Sequence, residues 1–178
     1  NFGNPMNTLS NMLNVAVGAL VAVLVAESSG RVFAADGRMI IRFENHLFYR
    51  FWGEKNQDTF NKFFRFDTSS PKNNWKSHQW RPNVEGEWEN FHGTQSKEWN
   101  VLAFARALDD TAALSSISMG APQIMGFNHA ACGHGDIESF VAAISAGERA
   151  HLDAFTRFCV FNGLDDELRA MPPRFAAF

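Results

Sequence analysis

Residues 24–46 read LVAESSGRVFAADGRMIIRFENH. The stretch leaves an apolar run, meets a carboxylate at Glu27, turns through Asp36 and Gly37, and passes through MIIRF (residues 39–43). It then reaches a second carboxylate, Glu44, with His46 two residues on. The apolar run before Glu27, VAVGALVAVLVA over residues 15–26, reads as a buried helix. Asn7, Thr8 and Ser10 all suit its N-terminal cap, predicting one helix to about Ser28 that is central in the fold and stopped by Gly30. Residues 39–43 predict a short strand after the Asp36–Gly37 turn, and a second helix follows over residues 44–52. An acid at the end of a hydrophobic segment has two readings. Near apolar walls it keeps its proton at neutral pH, because burial disfavours the charged form. In solvent it is merely a helix-end acid, at a helix terminus whose dipole favours a cation.

The whole chain bounds the class. Its 178 residues suffice for one domain, 1–178, with a sizeable core. The 18 Phe and 5 Trp beside a single Tyr, Tyr49, are an unusual aromatic balance. A net charge of −3, with basic residues scattered, argues against a nucleic-acid partner. The 15–26 run has the length of a signal-peptide core, but no Lys or Arg precedes Arg31, and it is too short to span a bilayer. A start at Asn1 fits a processed or trimmed product. Cys132 and Cys159 are too few for a disulfide framework; one bridge is conceivable, and two packed free thiols are the favoured reading.

Further along, residues 67–95 turn polar, with Pro71, Pro82, Gly86 and Gly93 and no period, which predicts a long irregular connection. Trp75, Trp80 and Trp88 within it either pin the loop to the core or offer stacking platforms for sugar rings. The remainder reads as helix: residues 96–110, a segment from Pro122 to about Cys132, residues 136–145 capped by Asp136, and residues 147–162 stopped at Gly163. Helix therefore exceeds strand, and the fold class is mostly α with one small β element near residues 39–43. The spacing of His129, Cys132 and His134 is only loosely metal-like and lacks a fourth ligand; no Cys nucleophile signature or phosphate loop is present.

Two stretches belong together: AESSG at residues 26–30 and SMGAPQIMGFNHAACG at 118–133. The first resembles the catalytic-glutamate signature of the lysozyme-like superfamily, and the second its Ser-x-Gly-x-x-Gln-Ile-Met segment. With GRMIIRFENH (37–46), SISMGAPQIMGFN (116–128) and WENFHGTQSKEWNVLAFARALDDTAAL (88–114), the chain resembles the N-acetylmuramidase family of phage endolysins and other secreted or exported lytic proteins. It departs at Met119, where that family usually has Trp, and at Met39, where proline is common. Its tail MPPRFAAF resembles the approach to a Tyr-Asn-Gly segment without reaching it.

The resemblance implies a lysozyme-like α+β fold and cleavage of the β-1,4 bond between N-acetylmuramic acid and N-acetylglucosamine in peptidoglycan. The chemistry needs an acid to protonate the leaving oxygen and a second group on the sugar's opposite face. Glu27 is the expected general acid. Glu44 is the first candidate for the second role and Asp36 the runner-up, though a helix-start acid such as Glu44 is also an ordinary cap or arginine partner. His46 is expected either to bond one of the acids or to be structural. Ser118 and Gln123 would hydrogen-bond glycan or hold Glu27, and Met125, Phe127 and Asn128 would line the cleft or pack the core. No metal or organic cofactor is called for. The partners are peptidoglycan strands, with no nucleic acid and no membrane span; the protein is expected to be a monomer, secreted or exported to the cell wall. A lytic transglycosylase, a silent glycan-binding domain and a chitin-directed glycosidase are the rival expectations.

Overall fold

The computed structural model describes residues 7, 8, 10, 11, 13–28, 31–69, 76–170 and 173, the side chains of residues 27 and 28 excepted. Gly30, Trp75 and the end of the MPPRFAAF tail therefore lie outside the described residues. The chain divides into two compact units, each assembled from separate stretches: residues 1–40, 119–124 and 128–178 in the first, residues 41–118 and 125–127 in the second.

The first unit is helical. Residues 7, 8, 10, 11 and 13 are helical, and a separate helix, α1, spans Val17–Ser28. The single helix expected from about Asn7 does not form, because Asn14 takes the left-handed conformation at φ 52 and the Ser10 carbonyl accepts from the Val15 N–H at 3.0 Å. Asparagine tolerates that backbone better than most residues. Nor is α1 central. Ala19, Leu20, Val23 and Leu24 are buried on one face, whereas Val21 and Val25 are exposed. Beyond it, Phe33 and Met39 form an isolated antiparallel bridge around the Asp36–Gly37 turn. The later helices of this unit are α6 (Ile137–Ala146), α7 (Glu148–Asn162) and α8 (Leu164–Arg169). Asp136 caps α6 as expected, accepting from the Ser139 N–H at 2.7 Å. Gly163, at φ 67, ends α7 in the left-handed geometry that glycine adopts without a Cβ penalty. Phe140, Ile144, Leu152, Phe155 and Cys159 are buried from these helices. Cys132 and Cys159 are free thiols, and burial pushes them up to about 11 and about 12 respectively.

The second unit holds most of the phenylalanines. Strand β1 (Ile41–Phe43) leads into α2 (Asn45–Phe51), a 3-10 turn at Gly53–Lys55 and α3 (Gln57–Phe63). Strands β2 (Phe64–Arg65), β3 (Gln79–Trp80) and β4 (Glu89–Asn90) follow, then α4 (Gln95–Leu108) and α5 (Asp110–Ser115). Phe43, Phe48, Phe60, Phe64 and Phe91 are fully buried, with ring centroids from 5.2 to 6.3 Å apart in tilted, edge and stacked pairs. Each such ring contributes about 1.5–3 kcal/mol of burial, and favourable quadrupole contacts add to it. The long irregular connection expected over residues 67–95 is in part a sheet: β2 pairs antiparallel with β3, and β3 with β4. Buried Asn45 ties this sheet to α2, donating to the carbonyls of Arg65 and Gln79 at 2.9 and 2.8 Å.

Strands β5 (Ile117–Met119) and β6 (Ile124–Met125) complete a second sheet in the order β1-β5-β6. The helix expected from Pro122 to Cys132 is replaced by a turn, β6 and a 3-10 turn at Gly126–Asn128. Gly120 and Gln123 both have positive φ, 67 and 48, so the chain reverses at Pro122 instead of winding on.

Candidate active site

Glu44 sits where β1 hands over to α2. Its backbone is extended, its N–H donates to the Ser116 carbonyl at 2.9 Å, and its side chain makes no capping bond to α2. The carboxylate instead divides between two environments. Oε1 accepts from Arg42 Nε at 2.9 Å. Oε2 lies 3.3 Å from His78 Nδ1 and 3.5 Å from His46 Nδ1, and is buried without a hydrogen bond among the described residues. Burial raises the Glu44 pKa above the ordinary carboxyl range, and Arg42 pulls against that shift. Burial likewise holds His46 below the usual imidazole value.

Behind Glu44 runs a polar chain that sequence reasoning missed. His78 is buried on the approach to β3, and its Nδ1 is 3.0 Å from His92 Nε2. His92 Nδ1 is 2.8 Å from Glu98 Oε1, and Glu98 Oε2 accepts the Phe43 N–H at 2.8 Å. Glu98 is only 3 % exposed, and both of its oxygens have partners, as a buried carboxyl group requires. Gln95, one turn earlier on α4, accepts from the Ile41 N–H and donates to the Ile41 carbonyl, both at 2.9 Å. α4 thus supplies side chains that satisfy backbone groups of β1 and fix the strand leading into Glu44.

The signal for Glu98 was present in the sequence. Residues 98, 101, 102 and 105 share one helical face, and the other three are Val, Leu and Ala. An acid in that register needs a buried partner. His78 and His92 gave no such sign, because they converge on Glu44 and Glu98 only after β3 and β4 have paired.

The other candidates are placed as follows. Glu27 is the penultimate residue of α1, and its side chain lies outside the described residues. Asp36 is exposed and ion-paired to Arg38 at 2.7 Å, which lowers its pKa. Ser118 is buried in β5. Gln123 is half-buried and donates to the Gly120 carbonyl at 2.7 Å. Gly120 itself is pressed against His151, whose Nδ1 accepts the Ala121 N–H at 3.2 Å. Met125 is half-buried; Phe127 is 44 % exposed, 6.0 Å from the Phe51 ring; and the Asn128 carbonyl accepts from Cys132 N–H. Of the tryptophans, Trp80 is buried against Phe104, and Trp88 has the guanidinium groups of Arg65 and Arg81 each 4.4 Å from its ring centroid.

Comparison with known proteins gives these positions a context. The structure is similar to that of a chain described as the crystal structure of Burkholderia AP3 phage endolysin, with 28% sequence identity and a TM-score of 0.70. The similarity covers 94% of this chain and 58% of the endolysin chain. No curated protein matches the sequence. The small sheets within a helical frame are those of a lysozyme-like α+β fold. The family model described as Muramidase, N-acetylmuramidase, matches residues 16–178, from the start of α1 through β1, Glu44 and the Gly120–Asn128 reversal, and the chain belongs to that N-acetylmuramidase family.

Proposed function

We propose that the protein hydrolyses peptidoglycan, cutting the β-1,4 bond between N-acetylmuramic acid and N-acetylglucosamine, with Glu27 as general acid. The family match over residues 16–178 carries this reading, because it takes in the Glu27 and Glu44 segments together. Glu27 follows the apolar run of residues 15–26, and a carboxyl held near apolar walls keeps its proton until it meets a leaving-group oxygen.

Glu44 is the proposed second carboxylate. Its raised pKa makes it a better base once ionised, and its Oε2 has no hydrogen bond among the described residues to give up before accepting one from water. Asp36, held ionised by Arg38, is the weaker candidate. Ser118, Gln123, His46, Met125, Phe127 and Asn128 are proposed to position glycan, within one catalytic domain that acts outside the cell on the wall.

Wall lysis by the full chain beside Glu27→Gln and Glu44→Gln tests the assignment. The amide matches the acid in size but cannot deliver an acidic proton, so Glu27→Gln should lose on the order of 100-fold or more. Full activity in that variant refutes Glu27. Mass spectrometry of the products separates hydrolysis, with reducing ends, from a transglycosylase reaction, which leaves anhydromuramyl ends. The product anomer, read by proton NMR, distinguishes attack by Glu44 itself from activation of water.

A further inference from the structure

The geometry points to a zinc-binding site formed by Glu44, His46 and His78. One donor atom from each of the three residues lies within 4.8 Å of the others. The distances from Glu44 Oε2 to His78 Nδ1 and His46 Nδ1 are 3.3 and 3.5 Å. Zinc–nitrogen and zinc–oxygen bonds of about 2.1 Å in a tetrahedron set neighbouring donors about 3.4 Å apart, so both edges have the length of a tetrahedral zinc site. Glu44 Oε2 and His46 Nδ1 are buried and make no hydrogen bond among the described residues, although they face each other. Two converging polar atoms that bond neither each other nor a described neighbour are costly unless a further group occupies the space between them.

The surroundings favour a cation of this kind. Two imidazoles and one carboxylate suit zinc better than magnesium or calcium, which prefer oxygen donors. Arg42 occupies Oε1 and leaves Oε2 for the ion. Glu98 Oε1 lies 2.8 Å from His92 Nδ1, and His92 Nε2 lies 3.0 Å from His78 Nδ1. Zinc would take the His78 Nδ1 lone pair in place of a proton, and His92 stands behind His78 rather than in the donor group. A carboxylate behind a histidine is a recurrent outer support of zinc sites. The site stands on this geometry alone and does not depend on the muramidase reading.

Calorimetric titration of the tag-free full chain, dialysed against chelator, with zinc chloride tests the site. One equivalent should bind with a Kd of about 10 μM or tighter, and His46→Ala should weaken it at least about 10-fold. His46 is half-buried, so its truncation risks the fold less than that of wholly buried His78, and circular dichroism checks that the variant is folded. Cobalt substituted at the same site should show the intense visible bands of a tetrahedral ion. His129→Ala, in the loosely metal-like run, should bind zinc as the parent does. The proposal is overturned by absence of saturable binding, by affinity unchanged in folded His46→Ala, or by affinity lost in His129→Ala. None of these readouts involves wall lysis.

Discussion

Replacing Gly120 with alanine should destabilise the fold by about 2–5 kcal/mol, through two separable effects. The first is backbone strain: Gly120 sits at φ 67, where an L side chain costs about 1–2 kcal/mol. The second is a collision. An alanine Cβ would lie 1.9 Å from His151 Nδ1 and 2.3 Å from its Cε1, so the imidazole has to move. That ring is wholly buried, meets Phe33 edge-on at 5.5 Å and accepts the Ala121 N–H. Displacing it leaves a buried N–H unsatisfied, worth about 1–3 kcal/mol, besides the lost packing. Urea unfolding should show the midpoint fall with little change in slope. The decisive measurement is the same substitution in a His151→Ala background, where only the strain of about 1–2 kcal/mol should remain. A loss below about 1 kcal/mol in the parent, or equal losses in the two backgrounds, refutes the reasoning.

Acid should weaken the fold through the same histidine. Burial lowers His151 from 6.5 to about 4, with the Ile144 carbonyl and Glu148 opposing the shift. The unfolded chain therefore takes up this proton first as pH falls. The histidine's contribution is full above 6.5 and is lost on the way down to about 4, amounting to about 3 kcal/mol. Urea melts across that range should show a smaller acid slope in His151→Gln, and equal slopes would sink the assignment. Glu98→Ala should cost about 3–5 kcal/mol, since it strips the Phe43 N–H and His92 of their acceptor; thermal unfolding with an unchanged midpoint would show that the buried chain contributes nothing.

What was legible in the sequence was local. Asp136 as a cap and Gly163 as a stop are decided by a handful of neighbouring backbone groups, and both were readable. The small strand at residues 41–43 was readable from its apolar pattern. The Pro122 segment was misread because its direction is set by positive φ at Gly120 and Gln123, and His151, some 30 residues on, is packed against that turn. The β2-β3-β4 sheet escaped notice because strands of two residues are too short to show a period. The exposed half of α1 was unreadable for the opposite reason: valine and alanine occur on both of its faces, so composition could not tell the packed face from the free one.

The acids follow the same division. The segments of Glu27 and Glu44 were found by their motifs, whereas the setting of Glu44 was not, since Arg42, His46, His78, His92 and Glu98 span 57 positions of the chain, from residue 42 to residue 98. That setting gives the two oxygens of Glu44 different fates. Oε1 is committed to a cation that the protein itself supplies. Oε2 is buried, desolvated and without a described hydrogen bond, and a buried acceptor in that condition is stabilised by a proton, a donated hydrogen bond or a metal ion. Water activation in glycoside cleavage and zinc coordination thus draw on the same atom, and each excludes the other. Glu44→Gln should therefore weaken zinc binding whether or not the protein cuts peptidoglycan, and because His46 is both a proposed ligand and a proposed glycan contact, zinc titration rather than wall lysis reads the effect of His46→Ala on the ion.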